Sequence, residues 1–265
     1  MKNLTDLSGL LYRILETEIQ NNDTNNIAQS IGRKLVSHVN SINVLLENTT
    51  DISSCTTLTR AVFETYAVFN LLFIKGTAEE KQLRFDLWKI DALKDRQKFM
   101  VSFDDLPPDE RTQFKEQIED EKQQIEELKL RIRKNEYYKK LPNGYDKGLL
   151  NNAIWKFDTE KIQGYHVKTK IDMGIRAMVE KCGIKEIYLQ DMYKYTSMHA
   201  HANYISVLQS DQLNAETFQL AKKHLGELNS ILVTYFIKAY LELNSFEIRN
   251  YCGTNHVYYM YEKRI

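Results

Sequence analysis

The chain has 265 residues, 43% hydrophobic and 27% charged, with 36 basic against 36 acidic side chains. That length buries a full core, and zero net charge leaves no overall field to draw the chain onto nucleic acid or an anionic membrane, so such binding must rest on a local patch. Ten glycines and three prolines are too few for the many tight turns of a β-rich or doubly wound fold, and the balance favours helix.

Helical periodicity starts at once, with Leu7, Leu10, Leu11, Ile14 and Leu15 on one stripe. Charges among these positions (Asp6, Arg13, Glu16, Glu18) argue against a secretory leader. Ile27, Ile31, Leu35, Val39, Ile42 and Leu46 form a second stripe. The segment from Ser53 to Gly76 is apolar almost all round after Leu58, which places it at the centre of a bundle, and Gly76 reads as its stop. Its run from Ala67 to Ile74 is far short of a membrane span. Thr77 and Glu80 have capping-box spacing and open the next helix.

Prolines at 107 and 108 mark a break and a new helix start. The helix that follows is polar, with ten acids and three bases over residues 104–127, then six bases and one acid over 129–140. Phe114, Ile118, Ile125, Leu128 and Ile132 mark a thin seam that Glu121 interrupts. This predicts a charged helical hairpin over 104–140, either a solvated arm or an oligomerisation arm. Residues 141–166 read as one long irregular stretch, after which helices resume through Leu243.

Chemistry-bearing residues are sparse. Cys55, Cys182 and Cys252 are odd in number and far apart, which fits neither a disulfide framework nor a zinc knuckle. Phosphate-loop, serine-elbow and HExxH motifs are missing, and neither metal nor cofactor is expected. His199 and His201 are two residues apart, so on a helix they point about 200° away from each other and cannot share a metal. Spacing of four instead aligns Tyr193, Ser197 and His201, and separately Arg60 with Glu64 on the apolar helix. An Arg–Glu pair facing a Tyr/Ser/His stripe makes a buried polar network, which is either a site or a device that fixes helix register. Arg131, Arg133, Lys134, Lys139 and Lys140, beside Tyr137 and Tyr138, are the candidate nucleic-acid contacts.

The pairing of TRAVFETYAVFNLLF with the later YKYTSMHAH resembles a family of bacterial all-helical proteins of unknown function, which carries an Arg-x-x-x-Glu and a Tyr…Ser…His. That family is similar in turn to the HEPN superfamily (higher eukaryotes and prokaryotes nucleotide-binding). The resemblance points to Arg60, Glu64, Tyr193, Ser197 and His201. HEPN ribonucleases cleave RNA without metal, with an Arg and a nearby His. Two stretches have that form, Arg33 with His38 and, near the C-terminus, Arg249-Asn250 with His256. The expectation is an all-α, up-down helical bundle of seven to nine helices, one domain over 1–265 with the charged hairpin inserted at 104–140. Its expected role is a cytoplasmic HEPN-like effector of bacterial defence or toxin type. RNA and a second copy or partner protein are its expected partners, with no membrane. The alternative is a non-enzymatic helical module that binds a protein or small ligand.

Overall fold

The computed structural model describes residues 2–16, 22–100, 107–142, 145–163, 171–182, 184, 187–199 and 214–244. The architecture is all-helical, as expected, and among these residues there is no strand, only an isolated antiparallel bridge between Phe157 and Asp172. The chain divides into two compact units, residues 1–74 with 175–265, and residues 75–174.

In the first unit, α1 (Lys2–Leu15) and α2 (Asp23–Asn48) pack as a pair. Asn22 caps α2 by accepting from the Asn25 amide at 2.9 Å. Leu11, Ile14 and Leu15 of the first stripe and Leu35, Val39, Ile42 and Leu46 of the second are fully buried. Close approach of the two helices requires Gly32, because a Cβ there would sit 2.5 Å from a methyl of Leu15.

Helix α3 (Ile52–Phe69) is the centre that its composition predicts, packed by α2, α9 (Ile175–Lys181), α10 (Ile187–His199) and α11 (Ala215–Leu243). No residue from Leu58 to Ile74 is exposed. Phe69 packs at tilted angles against Phe73, Phe236 and Tyr240, with ring centroids 5.1, 4.5 and 6.1 Å away. Burying a polar group at such a place costs free energy unless it is bonded, and several of the polar groups here are bonded. Thr56 and Thr59 return their hydroxyls to carbonyls one turn back, and Asn229 of α11 donates to Thr59 Oγ1 at 2.9 Å. The helix ends in a π-helical turn, Asn70–Ile74, and the chain leaves it through Gly76 at φ +100°, a left-handed stop that suits glycine.

The second unit is built on α4 (Ala78–Met100) and α5 (Pro108–Lys134). Both halves of the predicted capping box form: the Thr77 amide donates to Glu80 Oε2 at 3.2 Å and the Glu80 amide to Thr77 Oγ1 at 3.3 Å. The charged helix of the expected arm is α5, and it packs back along α4 with Ile125, Leu128 and Ile132 buried. Glu121, which breaks the apolar seam in the sequence, lies in it as a buried carboxylate (1% exposed) that pairs with Arg96 of α4.

Residues 141–166 are not one irregular stretch. They contain α7 (Tyr145–Asn152) and α8 (Thr159–Gln163), after the single turn of α6 (Glu136–Lys139), which is why the helix count exceeds nine. Such short helices are marginal by themselves, and tertiary contacts hold them. Trp155 donates its indole N–H to Asp91 at 3.0 Å, Lys94 binds the Asn151 carbonyl at 2.9 Å, and the bridge closes through Asp158 N to Ile171 O at 2.9 Å.

Candidate functional site

Arg60 and Glu64 lie one turn apart on α3, facing α10, the only charged residues between Asp51 and Lys75. Arg60 Nε donates to Glu64 Oε1 at 2.7 Å, and the Tyr193 hydroxyl donates to the same oxygen at 3.3 Å. Tyr193 is 4% exposed and stands edge-on to Phe63, ring centroids 5.7 Å apart, so its hydroxyl is aimed by packing. The arginine and glutamate side chains keep 23% and 31% of their exposure, which leaves the pair reachable from outside.

Electrostatics follow from this geometry. The hydrogen bond to Glu64 pushes the Arg60 guanidinium above its ordinary value, with the carboxylate charge acting in the same direction. Burial pushes the Tyr193 phenol up, and the Glu64 charge adds to it while Arg60 opposes. The phenol is therefore a donor, and the arginine keeps its charge. Ser197 follows one turn after Tyr193 and is half-buried, while Thr196, fully buried beside it, bonds back to the Tyr193 carbonyl at 2.9 Å. His201 lies outside the described residues.

The structure thus joins three of the five residues of the predicted network, Arg60, Glu64 and Tyr193, and puts Ser197 on the same helix as Tyr193. Replacing Tyr193 with phenylalanine should keep the ring contact with Phe63 and remove one hydrogen bond to a charged acceptor, lowering stability by about 1 kcal/mol. A thermal melt beside the wild type reads this; an unchanged melting temperature would mean that the hydroxyl is equally well served by water.

Of the second Arg–His candidate, Arg249, Asn250 and His256 lie outside the described residues. Arg33 and His38 are both on α2. Arg33 pairs with Glu16 at 3.1 Å, and burial, together with the Lys34 charge, lowers the pKa of His38. Among the described residues no group of three or more His, Cys, Asp or Glu is placed to hold a metal, and no helix is long and apolar enough to cross a membrane.

The candidate nucleic-acid contacts belong to the second unit and divide into two kinds. Arg131 is committed, its guanidinium forked onto the buried Asp86 of α4, with Nε 2.8 Å from Oδ2. Lys139 pairs with Glu136 at 2.6 Å. Arg133, Lys134 and Lys140 are exposed.

Sequence reasoning missed a third cluster. Arg84 of α4 is 2% exposed, donates to the Lys75 carbonyl and to Thr159 Oγ1, both at 2.8 Å, and lies 4.6 Å over the Phe157 ring. Tyr137 stacks on Phe157, ring centroids 6.0 Å apart, and burial pushes its phenol up to about 12. Burial depresses the Arg84 pKa, and Glu80, Tyr137 and Asp158 oppose that. The available signal was a Glu80–Arg84 spacing of four, the same spacing as Arg60–Glu64.

The model of a family of unknown function, DUF5677, matches residues 25–217, well over half of the chain. The chain belongs to that family. The matched span contains Arg60, Glu64, Tyr193, Ser197 and His201, and it excludes Arg249, Asn250 and His256. No curated protein and no solved structure matches the chain significantly.

Proposed function

We propose that the protein is a HEPN-like helical effector of bacterial defence or toxin type that acts on RNA. Its site is centred on Arg60, Glu64 and Tyr193, with Ser197 and His201 completing it. The observation that carries this reading is a polar triad that buried aromatics organise from below and that keeps about a quarter to a third of its charged side chains open, at 23% and 31%. A purely internal network has no reason to stay reachable.

In that role no metal is required. The 2′-hydroxyl of the substrate attacks the adjacent phosphorus, and His201 takes its proton. The bond to the 5′-oxygen breaks, that oxygen receives a proton, and a cyclic phosphate remains. Arg60 balances the charge that builds on the phosphate, and Glu64 and Tyr193 hold its guanidinium in one orientation.

Growth and RNA integrity after induction in a heterologous bacterium test this, with Arg60→Ala, His201→Ala and His256→Ala beside the wild type. Wild type should arrest growth and cleave RNA with or without a chelator. Arg60→Ala and His201→Ala should cleave at least about 100-fold more slowly, as loss of a charge-stabilising group or of the acid–base group predicts. Intact RNA and normal growth with wild type would end the proposal, and loss in His256→Ala alone would move the site to the C-terminal motif. A non-enzymatic helical module that binds a protein or small ligand is the second reading. Direct neutralisation of Arg60 by Glu64 favours it, because such a pair also serves to dock α10 on α3.

A further inference from the structure

We propose, on the reading of the Arg60 site as one that acts on RNA, that Thr57 is a further substrate contact of that site. Its hydroxyl donates to the phosphate that Arg60 holds. Four threonines lie in α3. Thr56, Thr59 and Thr65 are buried, and each donates its hydroxyl to the carbonyl one turn back, at 2.7, 2.8 and 2.7 Å. Thr57 is exposed, and its hydroxyl bonds to no group among the described residues.

The position of Thr57 puts that hydroxyl at the site. A helix turns by about 100° per residue, so Thr57 lies within about 20° of Glu64 and about 60° of Arg60, and it precedes Arg60 by about 4.5 Å along the axis. Thr57, Arg60 and Glu64 therefore form one polar edge of α3, and Tyr193 of α10 is bonded to its Glu64 end. Helix stability does not account for a threonine there. Threonine is a poorer helix former than alanine, and at this place it contributes neither burial nor an internal hydrogen bond. Phosphate recognition does account for it. Glu64 offsets the charge of Arg60, which weakens the attraction of the pair for an anion, and a hydroxyl adds a directed donor that needs no charge. Serine and threonine hydroxyls are common partners of phosphate oxygens for this reason.

Fluorescence anisotropy with a single-stranded RNA oligonucleotide whose 2′-hydroxyls are methylated tests the contact, because such a strand has no hydroxyl with which to attack its phosphate. Thr57→Val keeps the shape, removes the hydroxyl and should bind about tenfold more weakly, while Thr57→Ser should bind nearly as well as wild type. The slope of log Kd against log salt should be unchanged in Thr57→Val and shallower by about one in Arg60→Ala, since only the second removes a charge. Both Thr57 variants should melt with the wild type, as the position is exposed and unbonded. Wild-type affinity in Thr57→Val beside weakened Arg60→Ala would overturn the role of Thr57 and leave the action on RNA standing. A loss in Thr57→Val that Thr57→Ser does not recover would also overturn the hydroxyl contact. A wild type that does not bind the strand, or an Arg60→Ala variant that binds it equally well, would overturn both.

Discussion

Arg131→Ala should lower the unfolding free energy by about 3 kcal/mol, although Arg131 is half exposed and sits among basic residues that look interchangeable. The reason lies in its partner. Asp86 is 1% exposed on the α5-facing side of α4, and Arg131 supplies the charge that compensates it, bonded through two nitrogens. With the guanidinium gone, Asp86 keeps only the Gln82 amide, 2.8 Å away, and a buried carboxylate is left without a countercharge. Arg133→Ala removes an exposed charge and should change stability by less than about 0.5 kcal/mol. Urea unfolding of the two variants separates the cases, and equal midpoints would show that the pair carries no net stability. Replacing both partners, Asp86→Leu with Arg131→Met, should recover most of the loss, because no charge is then stranded.

The same pairing occurs a second time with the roles exchanged. Glu121 of α5 is the buried carboxylate and Arg96 of α4 the arginine. The pairs lie ten residues apart on each helix, so both fit one antiparallel register. A slip of either helix would strand two buried acids at once, which makes the pairs a strong specification of that register.

Arg84→Ala should cost about 4 kcal/mol, and Arg84→Lys should not restore it. Arginine meets three demands at one place: its planar fork reaches the Lys75 carbonyl and the Thr159 hydroxyl together, its face covers the Phe157 ring, and its charge answers Glu80. Alanine leaves a cavity, takes a donor from the Lys75 carbonyl and removes the cation beside Glu80. Lysine restores the charge but is a point donor that cannot span both acceptors or stack. Denaturant midpoints check this, and recovery by lysine would reduce the role of Arg84 to charge alone. The fall should be accompanied by loosening of residues 157–159, visible as faster amide exchange there, because Arg84 ties that segment to the start of α4.

The helices were legible in the sequence because their physics is local. A stripe such as Leu35, Val39, Ile42 and Leu46 repeats at the helix period whatever it packs against, and Thr77 with Glu80 or Gly76 at its positive φ needs only neighbours in the chain. The composition of α3, apolar on nearly all sides, can be satisfied only at a centre, and it is found there. The Arg60–Glu64 pair was readable for the same reason, one turn of one helix. What the spacing of residues 141–166 did not disclose was α7 and α8, since pieces of eight and five residues form only where Asp91, Lys94 and Arg84 hold them.

Tertiary structure alone decided which charges are functional candidates and which are structural. From the sequence, Arg131 and Arg133 are neighbours in one basic run, and Glu121 is a defect in a seam. In the fold, α4 brings Asp86 to Arg131 and Arg96 to Glu121, so two of these residues become register pins and Arg133 stays in solvent. Likewise Tyr193 reaches Glu64 from 129 positions along the chain, a meeting no local pattern encodes. Period and capping are settled between residues a few places apart; the pairing of a buried charge is settled by whichever distant helix shares its face.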